Sequence, residues 1–141
     1  MKNLLIFLIL LPTFLIAQDK YENTPKEYWI TDSNFEEKIN GKSAFSDDDI
    51  SIVIVEFWAN FNKDNCFDDW DKLENVKYYR IDIANAPIAK KQYRVRMAPT
   101  LIIFKDGEKY KVFKAGLDLV LKEDILEIQE SINEANTASQ Y

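Results

Sequence analysis

Histidine is absent from this 141-residue sequence, and cysteine occurs only once, as Cys66. Without histidine these residues cannot build a Ser-His-Asp triad, a Cys-His pair or a Cys/His zinc site. A single cysteine also cannot form a disulfide within the chain. The sequence therefore excludes the hydrolytic and redox mechanisms that need a histidine or a pair of thiols.

Glycine and proline are scarce too, with three and four residues, and no Gly-rich phosphate loop is present. A content of 47% hydrophobic and 30% charged residues is typical of a globular domain. The net charge of −6 disfavours contact with phosphate backbones, so we expect no nucleic-acid partner. The oxygen-rich stretch 62–71 lacks the Gly and the final Glu of a calcium-binding EF-hand. We expect no metal and no other cofactor.

A long apolar run occurs only in residues 1–17, where Lys2 precedes an apolar stretch from Leu4 to Ile16. This pattern is typical of a signal peptide cleaved near Ala17, and it is short for a membrane span. We therefore expect a periplasmic or secreted protein without a membrane span after cleavage. An uncleaved N-terminal anchor is the alternative. Residues 18–27 are polar and predict a flexible lead-in.

Strand and helix patterns alternate along the rest of the chain. Strands are predicted at residues 28–30, 50–58, 78–83, 101–104 and 110–113, with an Asp-Gly hairpin turn before the last. Helices are predicted after Asp32 or Ser33, over 67–76, over 87–93, and on the spacing of Leu121, Ile125, Ile128 and Ile132. The order predicts a three-layer α/β domain over 28–134, with a central mixed sheet of four to five strands flanked by helices. We expect residues 135–141 to fray.

Four stretches of the chain match one known pattern. They are WITDSNFEEKI at 29–39, IVIVEFWAN at 52–60, YRVRMAPTLIIFKDGE at 93–108 and VFKAG at 112–116. Together they resemble the thioredoxin family, and the resemblance implies a thioredoxin fold. APT followed by an apolar strand and FKDGE is the most specific part of the match.

The resemblance fails at the residues that carry the family's chemistry. In thioredoxins FWA is followed, two residues later, by Cys-x-x-Cys. Those two cysteines fall here on Asn62 and Asn65, and Cys66 lies one place past the second. Thiol–disulfide exchange needs an attacking thiolate and a second thiol that resolves the mixed disulfide. We therefore expect a thioredoxin-like domain without dithiol redox chemistry, and a shortened helix after the loop.

Other parts of the family's site are retained. By resemblance Pro99 is the cis-proline, Trp58 flanks the loop, and Glu56 is the buried acid beneath it, bonded here to Lys63 or to water. The resemblance implies a peptide-binding surface formed by Trp58, Phe61, Ala98, Pro99 and Thr100. The alternative is that these residues are inherited scaffold, since a fold alone does not define a function. We expect an unidentified protein or peptide partner, and we predict no oligomeric state.

Cys66 leaves a second function open. In the first turn of a helix its thiolate would be favoured by the helix dipole, which would suit a monothiol oxidoreductase that forms mixed disulfides. The nearby Asp64, Asp68 and Asp69 would raise the thiol pKa instead, and Cys66 would then be a small, partly buried apolar residue. An accessory subunit of a cell-envelope complex is the third possibility. Enzymatic activity is thus expected only if Cys66 is reactive.

Overall fold

The computed structural model describes residues 24–41 and 51–138. The predicted signal peptide, its cleavage site, the first part of the lead-in, the acidic loop over 47–49 and residues 139–141 lie outside these ranges. The last residues of the predicted lead-in lie against the domain. Thr24 is buried, where its carbonyl accepts from Trp29 Nε1 and its hydroxyl accepts from Arg80 Nη1, and a 3-10 helix spans Lys26–Tyr28.

Within the described residues, five strands and three α-helices form the domain. The strands are β1 (Trp29–Ile30), β2 (Ile52–Trp58), β3 (Lys77–Asp82), β4 (Thr100–Lys105) and β5 (Glu108–Lys114). The α-helices are α1 (Phe35–Ile39), α2 (Pro87–Gln92) and α3 (Ile125–Thr137), and further 3-10 helices span Asn60–Asn65, Asp68–Lys72 and Ile83–Asn85. The sheet order is β1-β3-β2-β4-β5, with β1, β2 and β3 parallel and β4 and β5 antiparallel to their neighbours. The predicted α/β architecture with a mixed sheet is confirmed.

The central strand β2 separates two apolar cores. Alternate side chains of a strand point to opposite faces. Val53, Val55 and Phe57 therefore pack toward α1 and α2, while Ile52 and Ile54 pack toward α3. Every residue of β2 is buried, which explains its almost continuous apolar sequence.

The hairpin between β4 and β5 forms as its turn residues predict. Asp106 and Gly107 both have positive φ, 51° and 81°. Two such residues are what a two-residue hairpin turn with the twist of its strands requires.

The prediction of a helix over 67–76 is wrong, since the only helical part of this stretch is a short 3-10 helix, Asp68–Lys72. Leu73 returns to extended geometry and Asn75 takes a positive φ of 59°, so the chain turns into β3 instead of propagating a helix. The apolar residues whose spacing suggested a helix instead pack into the core, where Leu73 and Val76 lie against the cluster on the α3 side of the sheet.

The last helix differs from its predicted limits at both ends. It begins after Asp124, whose carboxylate accepts from the Glu127 N–H while the Glu127 side chain accepts from the Asp124 N–H. Leu121 lies before this capping box, yet it packs against the same core. The predicted fraying from residue 135 is wrong for Ala135–Thr137, because Ala135 continues the buried helix face. Among the helices of the described segments, none is long and apolar enough to span a bilayer.

Candidate functional site

The candidate site lies where β2 ends, in the loop that contains the 3-10 helix Asn60–Asn65. Facing it is the Ala98–Pro99 peptide bond, which is cis, as the resemblance implied. A third loop, 115–120, follows β5, and the Ala115 N–H donates to the Pro99 carbonyl at 3.0 Å. We call these segments the site loop, the proline loop and the β5–α3 loop.

Asn62 joins the three loops. Its Nδ2 donates to the Ala98 carbonyl at 2.7 Å and to the Leu119 carbonyl at 2.8 Å. Its Oδ1 accepts from Asn65 Nδ2 at 2.8 Å. One amide thus uses both N–H groups on backbone acceptors of neighbouring loops. At the position onto which the resemblance places the family's first cysteine, this chain carries a hydrogen-bond donor that links loops.

Cys66 does not lie at the start of a helix. It is the residue that ends the 3-10 helix Asn60–Asn65, and its N–H donates to the Lys63 carbonyl. A helix dipole stabilises anions at the N-terminal end and disfavours them at the other. The condition under which the dipole would favour a Cys66 thiolate is therefore not met.

The surroundings of Cys66 keep the thiol protonated. Partial burial, the Glu56 carboxylate and Asp68 together raise the pKa of Cys66 to about 12, although Arg80 opposes them. The Sγ–H donates to Asp68 Oδ1 at 3.2 Å, a bond that only the neutral thiol can make. At neutral pH this sulfur is a poor nucleophile.

Beneath the site loop lies a buried ionic network. Glu56 and Arg80 are both 0% exposed and lie opposite each other on β2 and β3. Glu56 Oε1 accepts from Arg80 Nη2 at 3.0 Å and from the Tyr78 hydroxyl at 2.7 Å. Its other oxygen accepts from the Phe67 N–H at 3.0 Å. Both carboxylate oxygens are therefore engaged.

The arginine is equally well bonded. Its Nε donates to the Tyr78 hydroxyl at 2.9 Å, Nη1 to Thr24 Oγ1 at 2.8 Å and Nη2 also to the Phe67 carbonyl at 3.2 Å. Burial raises the pKa of Glu56, while Arg80, Tyr78 and Phe67 act in the opposite direction. Four of the five guanidinium N–H groups thus have partners. An ion pair with such extensive hydrogen bonding is the form in which charges are tolerated in a protein core.

Sequence reasoning found the buried acid but missed its partner. Lys63 or water was expected to bond to Glu56, whereas the cation bonded to it is Arg80. A signal was available, because Arg80 is flanked by Tyr78, Tyr79 and Ile81 within an apolar strand. A lone charge in such a strand needs a partner of opposite sign nearby.

The residues predicted to form a peptide-binding surface differ in exposure. Phe61 is 74% exposed, whereas Trp58 is 9%, Ala98 1% and Thr100 2% exposed, and Pro99 is buried. Trp58 packs edge-on against Trp29 with ring centroids 5.1 Å apart. Its Nε1 is buried and has no hydrogen-bond partner among the described residues. Only Phe61 of this set presents its side chain to solvent.

No group of three or more His, Cys, Asp or Glu side chains in the described ranges could hold a metal ion. The carboxylates around the site loop instead serve local bonds. Asp69 pairs with Lys72 at 2.6 Å, and Asp68 accepts from Cys66.

A comparison with known families decides the classification. The family model for thioredoxin matches residues 26–127, which is more than half of the chain. The chain belongs to the thioredoxin family. The match includes the site loop, the proline loop and the β5–α3 loop, so the two asparagines stand within a thioredoxin domain.

Relatives in sequence and structure agree on the fold. The chain is 28% identical over 88 residues to a thioredoxin of Staphylococcus saprophyticus, covering 56% of this chain and 74% of that protein. It is 40% identical over 42 residues to thioredoxin-2 of Pyricularia oryzae, of which it spans only 25%. The thioredoxin of Plasmodium falciparum superposes with a TM-score of 0.56 at 12% identity, covering 75% and 96% of the two chains. A mutant thioredoxin of Halobacterium salinarum gives 0.57 at 16% identity, covering 79% and 94%.

Proposed function

We propose that this chain is a thioredoxin-family domain that has exchanged dithiol redox chemistry for protein or peptide binding. The observation that carries the proposal is Asn62, at the position of the family's first cysteine. Its side chain links the site loop to Ala98 and Leu119. An amide in that place has no ionisable sulfur, and the remaining thiol is held neutral beside Asp68. The relatives are named thioredoxins, but these 141 residues contain only one cysteine.

An exposed apolar rim supports the binding role. Phe61, Leu117 and Val120 are 74%, 98% and 43% exposed. Phe61 immediately precedes Asn62, and Val120 immediately follows Leu119, so the Asn62 bonds bring their two loops together. Large exposed apolar side chains on adjoining loops are typical of a contact surface for a partner.

The rim replaces the surface that the sequence predicted. The Ala98 carbonyl accepts from Asn62, and Trp58 is packed against Trp29, so neither is presented as the resemblance implied. A partner would rest its apolar side chains on Phe61 and Leu117 instead. Because Asn62 fixes the loops, this surface is preorganised, which lowers the entropic cost of binding.

A peptide selection with matched variants tests the binding role. Phage displaying random peptides are selected on the protein, and the enriched peptides are synthesised and titrated by fluorescence anisotropy. Phe61→Ser with Leu117→Ser should weaken binding by about tenfold or more, since anchor residues contribute over about 1 kcal/mol each. Leu126→Ser is the control, because Leu126 on α3 is also 74% exposed. Equal weakening by both variants, or no enriched peptide, would contradict the proposal.

The loss of redox chemistry has its own test. The wild-type protein should not accelerate insulin reduction by dithiothreitol. At pH 8 the native thiol should react with iodoacetamide roughly a thousandfold more slowly than it does in denaturant, because its pKa of about 12 lies far above the free value of about 8.5. Fast alkylation of native Cys66 would instead favour the monothiol oxidoreductase. The same apolar rim would also suit the third candidate function, an exported accessory subunit of a cell-envelope complex.

A further inference from the structure

A second surface lies along the outer strand of the sheet, away from the apolar rim. A cleft of about 520 Å³ opens between β5 and the segment 93–97, which joins α2 to the proline loop. Its floor includes Val95 and Val112. This volume is within the range of ligand-binding clefts, roughly 300–1,000 Å³.

The charge of the cleft is opposite to that of the chain. Its lining contains Arg94, Arg96, Lys109 and Lys114 and no carboxylate, although the net charge of the sequence is −6. All four cations are exposed. Within residues 24–41 and 51–138, none of them forms an ion pair with a carboxylate. Four unpaired cations in a half-apolar cleft attract an anionic partner.

A β-bulge in β5 puts the lysines on the same face. Phe104 pairs with Lys109 and Ile103 with Lys111, so Tyr110 has no partner on β4. With regular alternation Lys109 would lie on the opposite face from Lys114. The extra residue turns Lys109 toward the cleft, where it joins Val112, and bulges often re-aim side chains in this way.

Arg94 reaches the cleft from a backbone conformation that favours glycine. It follows α2 with a φ of 54°, and the Val95 N–H closes the helix end onto the Lys90 carbonyl at 2.9 Å. Glycine is the usual residue at this position, because a side chain is strained in this conformation. Arg94 therefore occupies a backbone conformation that residues with a side chain rarely adopt. Protection of an edge strand explains lysines on β5, but it does not explain this arginine.

The spacing of the cations selects the shape of the ligand. Lys109 and Lys114 lie opposite Phe104 and Thr100 of β4, so their Cα atoms are separated by roughly 13 Å at about 3.3 Å per residue. Cations in a row match carboxylates that repeat on one side of an extended peptide better than they match a single phosphate. The outer edge of β5 is open, since β5 pairs only with β4 among the described strands.

We propose that this cleft binds an extended, acidic peptide segment of a partner protein alongside β5. The segment would place the carboxylates of one side against Lys109, Lys114 and the two arginines, and its alternate small apolar side chains would point away from the cleft. This goes beyond the apolar rim, which uses different residues on other loops, and either surface could bind without the other.

The test is an NMR titration of the ¹⁵N-labelled full chain with an end-capped octapeptide of alternating Glu and Val. Saturable shifts are expected in the backbone amides of 93–97 and 108–114. Lys109→Glu with Lys114→Glu should raise the Kd about tenfold or more, since two attractive ion pairs are lost and two repulsive contacts are added. The control, Lys26→Glu with Lys122→Glu, changes the net charge equally at exposed positions outside the cleft. It should change the Kd less than about twofold.

A further variant separates loss of binding from loss of folding. Arg94→Gly removes a cation at a position whose φ favours glycine, so it should weaken binding while leaving the protein at least as stable. The proposal is overturned if the Glu–Val peptide causes no saturable shifts, or if the control weakens binding as much as the charge reversal. It is also overturned if inorganic phosphate gives the same shifts at the same concentration, or a Lys–Val octapeptide binds equally well.

Discussion

The site loop differs in composition from the buried ionic network beneath it. In the loop, Asn62 and Asn65 lie at the positions onto which the resemblance places the family's cysteines, and the backbone forms a short 3-10 helix. In the layer below, Glu56 and Arg80 are fully buried and bonded to each other and to their neighbours. The two regions meet at Phe67, whose N–H donates to Glu56 and whose carbonyl accepts from Arg80. The buried layer thus holds the loop through Phe67, although the loop itself contains a single thiol.

This difference indicates what the buried acid does here. A carboxylate poised for proton transfer needs a reacting group within hydrogen-bond reach and some freedom to change its charge. Glu56 has a guanidinium, a phenol and a backbone N–H as its partners, and its contact with the thiol is only electrostatic. Its role in this chain is to position the site loop by holding Phe67.

The largest effect on stability is expected from removing one charge of the buried Glu56–Arg80 pair. Arg80→Met should lower the free energy of unfolding by about 3–5 kcal/mol, because it leaves an uncompensated carboxylate in the core. Urea denaturation followed by circular dichroism measures this loss. The loss should shrink as pH falls and Glu56 takes up a proton.

A double variant provides the control for that experiment. Glu56→Leu with Arg80→Met removes both charges and should recover most of the lost stability, since buried ion pairs are often replaceable by apolar residues. If Arg80→Met alone costs less than about 1 kcal/mol, the network is not an essential support of the fold.

A smaller effect is expected in the loop itself. Asn62→Ala removes the hydrogen bonds to the Ala98 and Leu119 carbonyls, and should lower the free energy of unfolding by about 1–2 kcal/mol. Amide hydrogen exchange should also accelerate in the site loop and the β5–α3 loop, because their link is lost. Asn65→Ala, which removes only the bond to Asn62, should leave the Leu119 loop protected. Unchanged exchange in Asn62→Ala would mean that the loops are held together by other contacts.

The contrast between local patterns and long-range contacts explains which parts of the structure could be predicted from the sequence. The sheet was predictable, because β2 is apolar except for Glu56, the Asp106–Gly107 turn determines the hairpin, and the apolar faces of helices recur with the helical period. The 3-10 helix at 68–72 was not, since an apolar residue every third position fits a helix and a packed loop equally well. Arg80 and the two hydrogen bonds of Asn62 depend on pairs that are 24, 36 and 57 residues apart, and no local pattern encodes such contacts.

The smallest effect concerns Cys66 and is confined to alkaline pH. An unfolded thiol loses its proton near pH 8.5, whereas the folded protein keeps it up to about pH 12. Above about pH 8.5 the unfolded state therefore binds fewer protons than the native state, and stability falls as pH rises. Cys66→Ala removes this contribution, so its urea midpoint should decline less than that of the wild type between pH 8 and pH 10.

Tyr78 provides the internal reference for this measurement. Burial raises its pKa well above 10, so it also destabilises the fold at high pH, but equally in wild type and Cys66→Ala. The difference between the two curves therefore isolates the thiol. At pH 7 the two proteins should differ by less than about 0.5 kcal/mol, since the bond to Asp68 is a single partly exposed contact. Parallel curves from pH 8 to pH 10 would mean that the native thiol ionises as readily as a free one, which is the property that a monothiol oxidoreductase needs and a binding domain does not.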